Sequence, residues 1–220
     1  TIDNITWTAY GSGMQFVATP TFNPPAGVYT QDIAVAISTT TAGATIRYTT
    51  NGTEPTSSSP IYSTPIPVTG DTTIKARGWA DGYEPSAIAT AAYVYPVVIS
   101  NLQQLRQQAA DNTTVYYLPN SVVLTFKQNN RNQKYIQDAG AGMLIDDVGG
   151  VITTSYNVGD AIAGLTGKLN MYFGTMQFIP VANPGPAVST GNNVFTPTVT
   201  IAEINANIVA YQSRLVRINN

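Results

Sequence analysis

The stretch Ala44-Thr-Ile-Arg-Tyr-Thr-Thr-Asn-Gly-Thr-Glu-Pro55 decides the fold of the first part of the chain. From Ala44 to Thr50, apolar and polar side chains alternate, which is typical of a strand with one buried face. Asn51-Gly52 follows as a turn signal, because both residue types tolerate positive φ. Pro55 has no amide hydrogen, so it keeps the returning edge unpaired. The stretch therefore predicts a strand and a hairpin corner.

Short strand-like runs lie on both sides of this stretch. Ile33, Val35 and Ile37 alternate with other residues, and residues 60–62, 65–68, 73–77 and 88–95 repeat the pattern. Together they predict about seven strands at the spacing of a β-sandwich.

Composition bounds the class of protein. A length of 220 residues suits two modules, and only 10% of the residues are charged, against roughly 25% in an average soluble chain. The polar residues are mainly Thr, Ser, Asn and Gln, with 18 Gly, 14 Pro and 13 Tyr. This profile is typical of secreted or cell-surface β-proteins, and we expect a bacterial, outer-membrane-associated source.

Cysteine and histidine are both absent. Their absence excludes disulfides, thiolate zinc sites, cysteine nucleophiles and every Ser-His arrangement. Carboxylate or lysine chemistry is the only enzymatic option left. We expect a protein that is not an enzyme and carries no cofactor.

The first module resembles a known family over residues 19–96. It is similar to the immunoglobulin-like or fibronectin-III-like module at the C-terminus of chitobiases and other hexosaminidases. The resemblance implies an accessory sandwich that spaces or steadies neighbouring domains and has no catalytic residues. The residues that carry it are Pro20-Thr-Phe22, Gly27-Val-Tyr29, Ala44 to Pro55, Ile61-Tyr62, Ile66, Thr73 to Arg77, Gly82-Tyr83 and Ser86.

After Pro96 the sequence period changes. Ser100 is predicted to cap a helix that carries Leu102, Leu105 and Ala109 on one face and ends at Asp111-Asn112. Thr200-Ile-Ala-Glu203 predicts a capping box that opens a second helix. The remaining runs predict strands, and the whole is a barrel with two short helices: 115–118, 122–126, 134–138, 142–145, 161–169, 176–180 and 215–218.

This second module, residues 97–220, resembles the OB-fold-like modules of secreted and surface-anchored Bacteroidetes proteins, some of which sit beside extracellular nucleases. The residues that carry the resemblance are Tyr135 to Asp138, Gly142 to Ile145, Val158 to Ile162, Gly164 to Gly167 and Tyr172 to Pro180. The predicted fold class is therefore all-β with two domains, a sandwich followed by a barrel.

The two ends predict a piece of a larger protein. Residues 1–18 are predicted as a leading β segment, and Ile2 to Thr6 resembles the closing strand of jelly-roll domains, which would make it the tail of a preceding domain. The chain does not begin with Met, and residues 214–218 are predicted as a strand that continues beyond Asn220. No apolar run is long enough for a membrane span, so we expect no membrane insertion.

Acidic residues offer two weak candidates. Asp146-Asp147 is the only adjacent carboxylate pair, but neighbours in a strand point to opposite faces, which disfavours joint catalysis and leaves a solvated turn before Gly149-Gly150 as the alternative. A calcium site built from Asp138, Asp146 or Asp147 with loop carbonyls is a second candidate.

Aromatic residues give the better binding hypothesis, because OB barrels bind ligands on an open strand face lined with aromatics and cations. The alternative is that alternate members of this set form the core. The candidates are Lys134, Tyr135, Lys168, Tyr172, Phe173, Met176 and Phe178, with Arg131 nearby in sequence.

In the sandwich, Trp79, Tyr83 and Tyr62 are candidates for a sugar platform. The alternative is structural: Tyr62 packs inside, Tyr83 follows the Asp81-Gly82 turn, and Trp79 closes one end of the sheet. The leading hypothesis is a monomeric, non-catalytic pair of modules that contacts a glycan, a protein or a neighbouring domain. Its rival is a single-stranded nucleic-acid-binding barrel that serves a nuclease domain.

Overall fold

The computed structural model describes residues 14–219. The chain divides into two compact units, Thr1–Tyr95 and Pro96–Asn220. Strands dominate both units, and the helices in the described range have four to six residues. The all-β fold class is confirmed. The predictions for residues 1–13 lie outside the described residues.

The described part of the first unit, residues 14–95, contains seven strands in two sheets. The three-stranded sheet has the order β1-β3-β5 and consists of β1 (Thr21–Asn23), β3 (Ile33–Ser38) and β5 (Ile66–Val68). The four-stranded sheet has the order β2-β7-β6-β4 and consists of β2 (Gly27–Val28), β4 (Thr45–Thr49), β6 (Thr72–Trp79) and β7 (Ala89–Val94). All pairings are antiparallel except that of β2 with β7.

The core of this unit is formed by the alternate side chains that the two sheets turn toward each other. Its buried members are Val35, Ile37, Ile46, Ile66, Val68, Ile74, Ala76, Ala91 and Tyr93. Burial, with the nearby Tyr29 as a smaller cause, raises the pKa of Tyr93 to about 12, and its hydroxyl donates to the Pro24 carbonyl at 3.0 Å. The unit is a β-sandwich of the predicted kind.

The Asn51-Gly52 corner differs in detail from the prediction. Gly52 has a φ of +75°, but Asn51 is not among the residues with positive φ. Instead, the Asn51 side chain accepts a hydrogen bond from the Thr53 amide at 3.2 Å, which closes the turn through a side chain. Residues 15–18 also join this unit, since the Val17 amide donates to the Glu84 carbonyl at 2.9 Å.

The second unit is organised around one eight-stranded sheet. The strand order is β13-β10-β11-β12-β15-β14-β9-β8, in which β8–β9 and β12–β15 are parallel pairs. The strands are β8 (Val97–Val98), β9 (Val115–Leu118), β10 (Val122–Lys127), β11 (Lys134–Gln137), β12 (Gly142–Ile145), β13 (Ala161–Ile162), β14 (Leu165–Tyr172) and β15 (Thr175–Pro180).

This sheet curls. In the strand order, β10 and β9 are five spacings apart, which in a flat sheet is about 24 Å. Residues 119–121 alone connect β9 to β10, and four Cα steps reach at most about 14 Å. The two margins therefore approach each other around a core that includes Leu118, Leu124 and Phe178. The curled sheet fits a barrel; the assignment of this unit to the OB-fold modules stays a prediction.

The helices follow their caps. α1 (Leu102–Leu105) begins after Asn101, whose side chain accepts from the Gln104 amide, so the predicted Ser100 cap is wrong by one residue. The helix ends at Leu105 with Arg106 as its C-cap and does not reach Asp111; Leu102 and Leu105 are buried, but Ala109, predicted on the same face, is exposed. The capping box of Thr200 and Glu203 is confirmed at the start of α2 (Ile201–Ala206), which α3 (Ile208–Tyr211) follows.

Other elements depart from the predicted runs. The predicted strand 161–169 is two strands, β13 and β14, because the chain turns at Gly164, where φ is +74°. The predicted last strand is reduced to β17 (Arg217–Ile218), which pairs in parallel with β16 (Thr198–Val199). A 3-10 turn occupies Asn130–Asn132. In the range 14–219 no helix is long and apolar enough to cross a membrane.

The C-terminal segment, defined here as residues 194–219, lies on the outer side of the curled sheet. The Gln137 side-chain oxygen accepts from the Leu215 amide at 2.7 Å, and its amide nitrogen donates to the Phe195 carbonyl. At Gly142 the backbone of Ser213 and Arg214 approaches so closely that a Cβ would lie 2.6 Å from the Ser213 carbonyl carbon. Glycine is therefore required at this position of β12.

We predict that Gly142→Ala loosens the C-terminal segment. The new methyl group meets backbone atoms that cannot rotate away, so we expect a loss of about 1 to 3 kcal/mol in the free energy of unfolding. Hydrogen exchange should rise in residues 194–219 and stay unchanged in β4 and β6. Gly140→Ala is the matched control, because its nearest contact is an ordinary 3.4 Å from the Gln103 side chain. Equal exchange in the two variants would refute the close approach.

Candidate ligand-binding surfaces

The outward side of the four-stranded sheet carries the first candidate surface. In β6 the buried residues alternate with Lys75, Arg77 and Trp79, and in β4 the residues Thr45 and Arg47 lie on the same outer side. The β4–β6 register places Thr45 opposite Trp79 and Arg47 opposite Arg77. The alternation that fills the core thus gathers an indole and cationic side chains on the opposite face.

A depression of about 610 Å³ lies at the Trp79 end of this face. Its walls combine apolar, aromatic and charged side chains, which is the mixture that small-molecule sites show. We call it the Trp79 depression. The lining residues are Ala42, Gly43, Thr45, Arg47, Ser57, Ile61, Trp79, Ala80, Asp81 and Tyr83.

Contacts in the wall of the Trp79 depression and beside it orient its side chains: Arg47 lies in the wall, and Arg77 lies beside it on the same face. The Arg47 guanidinium donates to the Ser59 carbonyl at 2.6 Å, and the Arg77 guanidinium donates to the Ser86 carbonyl at 2.8 Å. Arg77 also lies 5.8 Å from the centroid of the Trp79 ring, within the range of a cation–π contact. These contacts fix the indole and both guanidinium groups in place.

Of the three predicted platform residues, the structure brings two together. Trp79 and Tyr83 line the depression, and 41% of Tyr83 is exposed. Tyr62 does not join them, because it packs against the sandwich core and meets the Tyr48 ring edge-on at 6.3 Å. Tyr62 therefore packs inside the sandwich, which was the alternative interpretation of the sequence.

The second candidate surface is the tip of the β14–β15 hairpin. Phe173 is 92% exposed and Tyr172 is 57% exposed, and their rings meet edge-on at 4.6 Å. Phe173 and Gly174 both have positive φ, 45° and 77°, as the two-residue turn of a hairpin requires. A bulky residue rarely adopts such a φ, so the turn holds an aromatic ring in water at a conformational cost.

The other predicted barrel residues are dispersed. Phe178 and Met176, 1% and 8% exposed, belong to the core and offer no accessible face to a ligand. Tyr135 is half-buried on β11 and packs against Phe126 with centroids 5.7 Å apart. Lys168 is half-buried on β14, opposite Ile179.

Two of the predicted cations, Arg131 and Lys134, already have partners within the protein. Arg131 forms a two-pronged ion pair with Asp146, through an Nε bond of 2.9 Å and a second bond from Nη2. Lys134 Nζ lies 3.4 Å from a carboxylate oxygen of Asp147 and donates to the Asn132 carbonyl at 2.9 Å. Both side chains therefore have a structural role, as partners of buried carboxylates.

Asp146 and Asp147 are buried, so the expected solvated turn is wrong. The Arg131 hydrogen bond and, less strongly, the Gln133 hydrogen bond hold the pKa of Asp146 below its usual value, against the opposing effect of burial. Asp147 accepts from the Val151 amide at 2.7 Å and the Ile152 amide at 3.2 Å, which closes the loop after β12. The two carboxylates face different partners, but both follow the end of β12 and neither lies in a strand, so strand alternation is not the cause.

Asp138 has a similar backbone role. Its carboxylate accepts from the Gly140 and Ala141 amides at 2.8 Å and from the Leu102 amide, at the start of α1, at 2.7 Å. Across residues 14–219, no three acidic side chains converge as a metal site requires. The three calcium candidates thus have three different sets of hydrogen-bond partners, and each stabilises a different part of the fold.

Comparison with known families concerns the first unit. Residues 24–90 match the Chitobiase/beta-hexosaminidase C-terminal domain. This is an accessory, non-catalytic type of domain, and the matched range contains Arg47, Lys75, Arg77 and Trp79. The predicted resemblance is confirmed for this range. None of the curated proteins matches the chain.

Sequence reasoning missed Arg47, Arg77 and Ile61 as members of the first surface. The signal for the two arginines was present, because alternation places residues 45 and 47 of one strand and 77 and 79 of another on one kind of face. What was missing was the register that sets them side by side. Ile61 joins this surface through an isolated β-bridge to Arg47, which no local sequence pattern predicts.

We predict that Phe173→Asn stabilises the protein. Asn-Gly is the preferred pair for a turn with two positive φ values, so the change should raise the free energy of unfolding by about 1 kcal/mol. Tyr172→Asn is the matched control, since Tyr172 is an exposed neighbour without positive φ. Urea denaturation measures both. A Phe173→Asn protein no more stable than the control would contradict the strain argument.

We predict that Arg131→Met destabilises the second unit at neutral pH by about 1 to 3 kcal/mol, because it leaves the buried Asp146 carboxylate without its cation. The folded pKa of Asp146 is lowered, so its contribution is complete above the unfolded value near 4 and is lost as the pH falls below it. The difference between wild type and variant should therefore narrow from pH 7 to pH 3. Arg217→Met, at an exposed position, serves as control. A pH-independent difference would refute the assigned role of the ion pair.

Proposed function

We propose that this chain is a non-catalytic accessory part of a larger secreted or cell-surface protein, and that its first unit binds a glycan at the Trp79 depression. The observation that carries the proposal is the position of Trp79, on the outer side of its sheet and beside Tyr83 and Ile61. An aromatic ring offers a flat apolar face to the C–H groups of a sugar ring. Arg47, Asp81 and Thr45 offer hydrogen bonds to hydroxyl groups around it.

The chemistry of the depression supports binding without turnover. Glycoside hydrolysis by the usual route needs two carboxyl groups about 5 to 10 Å apart. Among the described residues, Asp81 is the only carboxylate that lines the depression. Its partner in such a mechanism would have to come from outside the lining.

The domain type supports the wider context. Accessory domains of this kind accompany other domains in one polypeptide, and the sparse charge of the chain suits an exported protein. In this proposal the first unit brings a glycan to the rest of the polypeptide and spaces its domains. The second unit contacts a neighbouring domain or a protein, and the chain acts as a monomer.

A single-stranded nucleic acid is the alternative ligand, and the exposed pair of Tyr172 and Phe173 favours it, because bases stack on aromatic rings. Such binding also needs cations that are free to contact phosphates. Arg131 and Lys134 are both committed to carboxylates, which supports the alternative less well than the glycan.

We predict that Trp79→Ala weakens glycan binding by at least about tenfold, because a central stacking residue carries much of the affinity of a small site. Isothermal titration of the whole chain with soluble oligosaccharides of chitin, cellulose, xylan and pectin measures the effect. Phe173→Ala, which removes the most exposed aromatic ring of the second unit, is the matched control and should bind like wild type. Wild-type affinity in Trp79→Ala, or no binding to any glycan together with binding to single-stranded DNA, would refute the proposal.

A further inference from the structure

The cations of the first unit are concentrated on one face. Residues 1–95 contain three basic side chains, Arg47, Lys75 and Arg77, against six acidic ones. All three lie on the outer side of the four-stranded sheet, on the adjacent strands β4 and β6. A unit with an excess of negative charge thus carries a locally positive face beside the Trp79 depression.

The register brings two of these cations directly together. Arg47 is paired with Arg77 across the two strands, and Lys75 is paired with Thr49 at the next outward position. Like charges at directly opposed positions destabilise a sheet. Within the described residues, the ion pairs closer than 4.0 Å belong to Arg131 and Lys134, and neither Arg47 nor Arg77 has a carboxylate partner.

Within residues 14–219, the hydrogen bonds of the two arginines use only a minority of their donors. A guanidinium group has five N–H donors. Arg47 bonds the Ser59 carbonyl through Nη1, and Arg77 bonds the Ser86 carbonyl through Nε. These bonds hold each group in place, as the cation–π contact with Trp79 also does for Arg77. Two oriented guanidinium groups with unused N–H edges form a preorganised site for a carboxylate, which matches their fork geometry.

We infer that the glycan bound at the Trp79 depression is acidic, a polysaccharide whose sugar rings carry carboxylates. This inference rests on the proposed glycan-binding function. One ring stacks on Trp79, and its carboxylate, or that of the next ring, accepts hydrogen bonds from Arg47 and Arg77. Lys75 extends the positive face along β6. The bound carboxylate also relieves the repulsion between the paired arginines, so binding stabilises the sheet.

Asp81 opposes this charge, and its effect is limited. Among the described residues that line the Trp79 depression, Asp81 and Arg47 are the charged ones, whereas Arg77 and Lys75 lie beside the depression on the same outer face. The Asp81 oxygens are suited to accept hydrogen bonds from sugar hydroxyls. The balance of the face as a whole therefore remains positive.

The test compares two forms of one polymer. Oligomers of polygalacturonic acid and the same oligomers as methyl esters differ in charge but share the sugar ring, and each is titrated into the whole chain at low and at high salt. We expect the acid form to bind at least about tenfold tighter than the ester at low salt, as charge-assisted hydrogen bonds require, and the difference to shrink at high salt.

Variants then locate the charge preference. Arg47→Gln combined with Arg77→Gln should abolish the preference for the acid form, while binding of the ester persists through Trp79. Lys75→Gln should reduce the preference without touching a loop contact, which covers the case in which the double variant fails to fold. Arg217→Gln, an exposed cation of the second unit, should change nothing.

The outcomes separate the two claims. Equal affinity for acid and ester would overturn the inference while the glycan proposal stands. An acid preference that survives both the double variant and Lys75→Gln would also overturn it, because the charge would then be read elsewhere. If neither polymer binds and no neutral glycan binds, the proposed function itself fails.

Discussion

The register between β4 and β6 is the constraint on which the rest of the first unit depends. It places Ile46 and Ala76 in the core and, by the same alternation, Arg47 and Arg77 on the outside. A shift by one residue would bury the guanidinium groups and expose the apolar side chains. The free energy lost in this way would unfold the sandwich. The core of the first unit and the proposed ligand-binding face are therefore determined together, by one pairing of backbone hydrogen bonds.

In the second unit, charged groups stabilise loops. Asp111, Asp138, Asp146 and Asp147 each accept hydrogen bonds from local backbone amides or from cations. Hydrogen bonds from Thr113 and Thr114 hold the pKa of Asp111 far below its usual value. The unit has few charged residues, and nearly every carboxylate in it has a defined structural partner. Asp111 is therefore poorly suited to proton transfer, which needs a pKa close to the working pH.

Much of the fold was readable from the sequence, since alternation and turn residues report local structure directly. β12 was predicted with its observed bounds, and the capping box was predicted with both of its residues, Thr200 and Glu203. Some boundaries failed: α1 ends well before Asp111, and the predicted strand 161–169 is divided by the turn at Gly164. The sites were harder. Alternation could not say which of Tyr172, Met176 and Phe178 faces the core, because hairpin register and curl decide that, and it could not pair Arg47 with Arg77 across two strands.

The close contact of the C-terminal segment with β11 and β12 has a consequence for any ligand that would bind to that side of the barrel. Gln137 and Gly142 are already occupied by the chain itself, which mimics an extended ligand lying across the strands. Arg106 reinforces this by donating to the carbonyls of both Gly142 and Val209. A ligand could contact the outer side of β11 and β12 at these positions only after displacing residues 194–219.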